Sequence, residues 1–274
     1  MNLGFIGTGN MGTILVEALV EGKAISPSSI TITNRTKAKA MVLKDKYSGL
    51  KVAGDAKEVA AKSDLVFICV KPLDVTTVLD DIHPYMTKEK CLISITSPIN
   101  TCQIESKIAC SVARVIPSIT NRALSGVSLI SYGENCRKEW RDRIDLIMEK
   151  ISKPVHIDEK ITRVASDIVS CGPAFFCYLL QAFILAAVKV TEIDEKTATI
   201  LASEMIVGLG ELIKQGVYTL PSLQEKVIVK GGITGEGIKI MEKELGSLFE
   251  HLYKATHNKF KEELEKVELQ FSSH

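Results

Sequence analysis

The chain has 274 residues, 46% of them hydrophobic, with 34 Lys and Arg against 33 Asp and Glu and a formal net charge of +1. That length and apolar content suffice for a sizeable core and two domains of ordinary size, which excludes a disordered chain. The balanced charge supplies no basic stretch of the kind nucleic-acid binding needs, so no nucleic-acid partner is expected.

The apolar run 3–6 opens the sequence, so no secretory leader is expected. Seven cysteines, at 69, 91, 102, 110, 136, 171 and 177, form no C-x-x-C pair. Reduced thiols in a cytoplasmic protein are therefore expected, most of them as small core residues, and no metal site is expected.

Residues 6–12 read Ile-Gly-Thr-Gly-Asn-Met-Gly and are followed by a helical pattern at Ile14, Leu15, Ala18 and Leu19. Strand, glycine turn, helix is the order a dinucleotide site requires. Gly7 makes the tight turn, Gly9 lets the backbone approach a pyrophosphate, and Gly12 allows helix and strand to pack closely. The free N–H groups and positive end of the helix then hold the charge. A glycine turn alone can be no more than a tight loop; its flanks favour the nucleotide.

Through residue 157 short apolar runs alternate with amphipathic stretches, as repeated β-α units do. Strands are predicted at 3–6, 30–33, 65–70, 91–96, 112–116, 127–131 and 155–157, with helices between them. The unbroken apolar run 65–70 suits a parallel strand covered on both faces. At the end of the second strand, where this fold usually carries an acidic residue for the ribose, stand Asn34, Arg35 and Thr36. No carboxylate is there to repel a 2′-phosphate, and Arg35 can hydrogen-bond one, so NADP is expected over NAD. The same residues also read as an Asn-Arg turn with Thr36 as helix N-cap, and one hydroxyl can serve both roles. Val70, Lys71 and Pro72 follow the third long run, at the strand end where ligands of open α/β sheets bind. Lys71 is either a cofactor contact or a solvated lysine before a proline-started helix. The stretch 136–150, with Trp140, Ile144, Ile147 and Met148, is an amphipathic helix whose charges form a solvated face.

After about Lys160 only helical patterns remain, at 161–169, 173–190, 195–215, 221–229, 234–243 and 247–266. The expected architecture is an α/β, Rossmann-type doubly wound sheet over 1–159 followed by an all-helical domain over 160–274. Within the latter, 174–190 is almost wholly apolar and approaches membrane-spanning length, but Gln181 falls mid-helix and no positive loop flanks it. A helix buried inside its domain or in a subunit interface is expected, with no membrane partner. Ser170-Cys171-Gly172-Pro173-Ala174 is either a helix break or a turn facing a ligand. Gly231, Gly232 and Thr234 open a later helix; they read either as N–H donors with a hydroxyl for a small carboxylate, or as a glycine turn with Thr234 as N-cap.

Together these pieces resemble the pyrroline-5-carboxylate reductase family over essentially the whole chain. The resemblance rests on Gly-Phe-Ile-Gly-Thr-Gly-Asn-Met-Gly at 4–12, Val-Lys-Pro at 70–72, Gly-Pro-Ala at 172–174, and Gly232, Thr234, Gly237, Ile238 and Met241 in register with the family's C-terminal signature. Thr-Asn-Arg-Thr at 33–36, Ser-Ile-Thr-Ser-Pro at 94–98 and Arg-Val-Ile-Pro-Ser-Ile-Thr-Asn-Arg-Ala at 114–123 look closest to its late-competence branch. The resemblance implies NADPH-dependent reduction of the cyclic imine 1-pyrroline-5-carboxylate to L-proline, the proline-biosynthesis reaction. It also implies a homodimer or higher homo-oligomer with the active site at the subunit interface. Carried over, Thr234 is the catalytic hydroxyl, Gly231 and Gly232 bind the substrate carboxylate, and Cys171 lies on the substrate side. Ile6, Gly7, Thr8, Gly9, Asn10, Met11, Asn34, Arg35, Thr36, Val70, Lys71 and Pro72 line the cofactor.

Departures from the family pattern fall on expected ligand positions. Val229 and Lys230 replace Ser-Pro before the glycines, Cys171 takes the place of a serine, and Ser118-Ile119-Thr120 replaces Asn-Thr-Pro after Pro117. Lost hydrogen bonds of roughly 1 to 3 kcal/mol apiece would lower turnover about 10- to 100-fold each. An alternative is therefore a repurposed, competence-associated protein that binds the dinucleotide with weak or no reductase activity. The related 3-hydroxyacid dehydrogenases carry a catalytic lysine on the long helix opening the second domain; here that helix offers only Lys189, near its far end.

Overall fold

The computed structural model describes residues 1–272. Eight strands form one sheet: β1 (Leu3–Ile6), β2 (Ile30–Thr33), β3 (Lys51–Val52), β4 (Leu65–Ile68), β5 (Cys91–Ser94), β6 (Ser111–Ile116), β7 (Val127–Tyr132) and β8 (Lys153–His156). Their order is β3-β2-β1-β4-β5-β6-β7-β8, parallel throughout except between β6 and β7. All seven expected strands are present. β3 is an addition: two residues at a sheet edge are too short to show a period. β4 and β5 each end two residues early.

Helices α1 (Asn10–Glu21), α2 (Lys37–Lys46), α3 (Ala56–Lys62), α4 (Val75–Ile82), α5 (Thr101–Glu105) and α6 (Lys138–Met148) accompany the strands. Then come α7 (Thr162–Ser166), α8 (Gly172–Val190), α9 (Glu195–Gln215), α10 (Leu220–Val227), α11 (Ile233–Leu245) and α12 (Leu248–Ser272). Strands β1, β2, β4 and β5 are buried along their whole length because successive side chains enter different cores. Leu3, Phe5, Leu65 and Phe67 point into a cluster with Leu15 and Leu19 of α1 and Trp140 and Ile144 of α6. Ile6, Val66 and Ile68 point into another with Val59, Leu79 and Val267. Phe5 and Phe67 stack across neighbouring strands with ring centroids 4.7 Å apart.

The chain runs from β1 outward through β2 and β3, then returns to β4 on β1's other side. Strand order therefore reverses between β1 and β4, and the crevice beyond their carboxyl ends is where open α/β sheets bind ligands.

By compactness the chain forms two units: Met1–Pro173 together with the stretch from Ala255 onward, and Ala174–Lys254. In the second, Ile184, Ala198 and Ala202 make a small core. Large apolar side chains remain outside it, Phe176 and Phe183 each 66% exposed and Leu201 and Val207 each 59%. The segment Glu159–Val190 is long and apolar enough to cross a membrane by length and composition, with mean hydropathy 1.9. Expected burial of its apolar part inside its own domain is not met; only 11% of the apolar window is buried.

Gly172 and Pro173 do not break the helix, contrary to one of the two sequence readings. Asp167–Cys171 forms a π turn between α7 and α8. The reason lies 51 residues upstream. Pro173 has no N–H for the carbonyl four residues before it, that of Val169, and this carbonyl accepts instead from Ser118 Oγ at 2.6 Å. Ser170 Oγ answers by donating to the Pro117 carbonyl at 2.9 Å. Ser118 is thus a buried brace for the helix, not the open pocket residue its place in the sequence indicates. Arg114, also buried, donates to the carbonyls of Ser97 and Ile99 and, at 2.6 Å, to Thr162 Oγ1, joining the sheet to the start of α7. Ser118→Ala should lower the unfolding free energy in urea by about 1 to 2 kcal/mol. The loss should be smaller in a Pro173→Ala background, where residue 173 regains an N–H; equal losses in both backgrounds would uncouple Ser118 from the proline.

Candidate functional site

The glycine turn after β1 has the stereochemistry its spacing requires. Gly7 sits at φ +102°, a conformation other residues rarely adopt, and a Cβ there would lie 2.6 Å from the Cys69 carbonyl oxygen. A Cβ at Gly12 would run into the carbonyl oxygen of Gly7, so α1 can start against β1 only with glycine at that position. Gly9 is the opposite case: nothing lies within 4 Å of where its Cβ would be, leaving the backbone open to a ligand. Gly9 is the N-cap of α1, no side chain caps it, and the first turn carries no acidic residue. Its N–H groups and positive end are thus left to an anion. Beside them Thr8 Oγ1 is buried with no hydrogen-bond partner among the described residues.

Two further loops meet this turn. Thr8 N–H donates to Asn34 Oδ1 at 2.9 Å, and Asn34 Nδ2 donates to the Thr36 carbonyl at 3.0 Å. Asn34 therefore ties the glycine turn to the loop after β2, and Arg35 is the charged member of that loop. Thr36 occupies the N-cap position of α2, as one reading had it, but its side chain makes no capping hydrogen bond. From β4, Val70 reaches the turn: its Cγ1 lies 3.1 Å from where a Gly7 Cβ would be. Lys71 precedes a short 3-10 turn, Pro72–Asp74, which starts on proline as expected and leads into α4.

Arg35, Lys71 and Pro72 line one cavity of about 400 Å³, and its other wall is α12, with Lys259, Glu263 and Lys266. No sequence signal marked α12 as part of this site, since its lysines look like any solvated helix face. The glycine turn, 34–36 and 70–72 thus converge at the crevice between β1 and β4. Open backbone, an uncapped helix start and cations fit a dinucleotide phosphate group.

Gly231, Gly232 and Thr234 belong to the other compact unit. Gly231 is left-handed at φ +74° with open space around it. The N-cap of α11 is Gly232, without a side-chain cap, and Thr234 is the second helical residue, exposed on its surface. The alternative reading of Thr234 as N-cap is therefore corrected, and its hydroxyl is not used in capping. Cys171 closes the π turn, half-buried. Its Sγ accepts from Arg163 Nη2 at 3.4 Å, and burial pushes its thiol above the usual range. Arg163 also reaches the buried Asp167 at 2.7 Å, which accepts from Thr256 Oγ1 at 2.8 Å. Arg163 and Asp167 are four apart on a helix, a spacing that marks such a pair, though one as common on solvated faces.

A family model described as pyrroline-5-carboxylate reductase dimerisation matches residues 159–263, and one described as NADP oxidoreductase, coenzyme F420-dependent, matches residues 2–98. ComE operon protein 4 of Bacillus subtilis (strain 168) is 51% identical over 99% of each chain. Pyrroline-5-carboxylate reductase 3 of the same organism is 26% identical over 94% of this chain and 95% of its own. A solved structure of Plasmodium falciparum pyrroline carboxylate reductase with NADP bound shares the fold, with a TM-score of 0.82 and 23% identity over 97% of this chain and 98% of that one.

The glycine geometry separates two substitutions. Gly9→Ala should leave the thermal midpoint unchanged while weakening dinucleotide binding in calorimetric titration. Gly12→Ala should lower the midpoint by several degrees, on the order of 1 to 3 kcal/mol of overpacking; a Gly12→Ala protein as stable as the parent would refute this packing.

Proposed function

The chain belongs to the pyrroline-5-carboxylate reductase family of NAD(P)-dependent oxidoreductases, and we propose that it reduces 1-pyrroline-5-carboxylate to L-proline with NADPH, as a cytoplasmic homodimer. The observation that carries this reading is the crevice between β1 and β4. There an uncapped, glycine-opened helix start adjoins the loops that carry Arg35 and Lys71, with no carboxylate at the end of β2.

In this reading the N–H groups at the start of α1 bind the pyrophosphate, and Asn34 holds the glycine turn in place for them. Arg35 and the Thr36 hydroxyl take the 2′-phosphate. NADPH, when bound, supplies the hydride for the imine carbon. Because a protonated imine is the better acceptor, the residues need mainly orient the ring and keep a hydroxyl near its nitrogen. Thr234 is that hydroxyl, and the Gly231 N–H binds the substrate carboxylate; the Gly232 N–H, assigned the same part by the resemblance, already donates to the Val229 carbonyl at 2.8 Å and must leave it to join. Lys230, beside them, adds the charge that the absent serine hydroxyl does not. Cys171 stays a neutral thiol on the substrate side.

The apolar faces of α8 and α9 call for a cover, and a second copy of the chain supplies one, consistent with the dimerisation model over 159–263. We read the segment Glu159–Val190 as an interface helix on that ground. All seven cysteines are free, which suits the reducing cytoplasm.

A second reading is favoured by the site's own departures. The Cys171 sulfur is already engaged by Arg163, and Val229 brings no hydroxyl to the glycines. On these grounds the chain would bind dinucleotide and dimerise with little turnover, in a competence-associated role.

NADPH oxidation by the purified protein, followed by absorbance with pyrroline-5-carboxylate and a panel of cyclic imines, separates the two. Tight NADPH binding without turnover on any of them would reject the reductase. Thr234→Ala should lower kcat/KM about 100-fold and leave NADPH affinity within about 2-fold, whereas equal loss of both would remove the hydroxyl from its role. Arg35→Ala should weaken NADPH about 10- to 100-fold and NADH by less than about 3-fold; an unchanged preference would take Arg35 out of the phosphate site.

A further inference from the structure

We propose that α12 is the second wall of the adenosine-phosphate cleft. Its Lys259 and Lys266 join Arg35 in holding the 2′-phosphate of NADPH, so that the last helix of the chain sets the choice of cofactor. This rests on the NADP reading above and adds to it two residues that no motif carries.

Placement comes first. Lys259, Glu263 and Lys266 stand at i, i+4 and i+7, one face of a helix, and all three line the cavity that Arg35 and Lys71 line from the sheet side. The helix is seated there by its adjoining face. Val267 is fully buried in the apolar cluster of Ile6 and Ile68, and Phe271 packs against the same cluster. Gln270 Nε2 donates to the Leu73 carbonyl at 3.1 Å, within the short turn that follows Lys71. The contacts that fix α12 therefore fix it to the segment leaving β4, and they hold Lys259 and Lys266 opposite Arg35.

Charge comes second. The cavity carries four cations, Arg35, Lys71, Lys259 and Lys266, against two carboxylates, Asp74 and Glu263, an excess of two positive charges. A phosphate monoester carries about −1.5 to −2 at neutral pH, and the ribose of NADH presents a neutral hydroxyl at the same place. The excess thus matches what distinguishes the two cofactors. Lys259 bonds Glu262 at 2.8 Å on the solvent side, with its side chain 64% exposed. Such a pair contributes little and yields readily to a dianion. Lys266 is likewise on an exposed position. Glu263, on the same face, opposes the phosphate, so Glu263→Gln should tighten NADPH.

The test is calorimetric titration of the full-length protein with NADPH and with NADH, comparing the parent with Lys259→Ala/Lys266→Ala, Lys259→Arg/Lys266→Arg and Arg35→Ala. The alanine pair should weaken NADPH about 10- to 100-fold and NADH by less than about 3-fold, with the arginine pair restoring most of the loss. Because both lysines are exposed, the single exchanges Lys259→Gln and Lys266→Gln serve as folded variants should the double exchange fail to fold. A NADPH-to-NADH ratio unchanged by the lysine exchanges but collapsed by Arg35→Ala would overturn the role of α12 and leave the NADP reading standing. Equal weakening of both cofactors would also overturn it, since the lysines would then serve a part the two share. A parent protein with no preference for NADPH would overturn the NADP reading itself.

Discussion

Where α1 meets the end of β1, two positions have no room for a side chain. A Cβ on Gly12 would collide with the carbonyl oxygen of Gly7, and Gly7 must take a backbone conformation that β-carbons disfavour. Those two glycines let the helix start directly against the end of β1, and its first N–H groups carry no side-chain cap. Gly9, between them, keeps the approach open. The loops after β2 and β4 are then held against this turn by the Asn34 side chain and by Val70, which is how Arg35 and Lys71 come to face one cavity.

The turn that carries Cys171 rests on a different constraint. A proline inside a helix leaves a carbonyl without a donor, and here the structure meets it with a π turn and the Ser118 hydroxyl. Cys171 occupies the last place of that turn, so its position depends on the brace as much as on its own helix. The network of Arg163, Asp167 and Thr256 adds a second tie, joining the turn to α12. The turn that the family resemblance puts beside the substrate is thus held from the sheet and from the last helix.

What was legible from residues alone follows range. The strands at 3–6, 30–33, 65–70 and 91–96 are local apolar runs, the last two overrunning β4 and β5 by two residues, and the glycine spacing is a local stereochemical demand, so both could be read without coordinates. Continuity of the helix through Gly172-Pro173 was not legible, because the partner that makes it possible is Ser118, more than fifty residues away. The same holds for Arg114, whose acceptors lie on two separate segments, and for α12, whose lysines acquire a neighbour in Arg35 only on folding. Thr36 and Thr234 show a subtler gap. Each sits near a helix start, where capping is the ordinary use of a hydroxyl, and only the structure shows that neither caps.

We propose that NADPH bound in the crevice between β1 and β4 passes its hydride to a cyclic imino acid. The most direct measurement incubates the purified chain with pyrroline-5-carboxylate and NADPH carrying deuterium at the transferable position of the nicotinamide, and analyses the product by mass spectrometry. Proline with a single deuterium on the former imine carbon is the expected result. Full occupancy by NADPH with no labelled proline formed would contradict the claim.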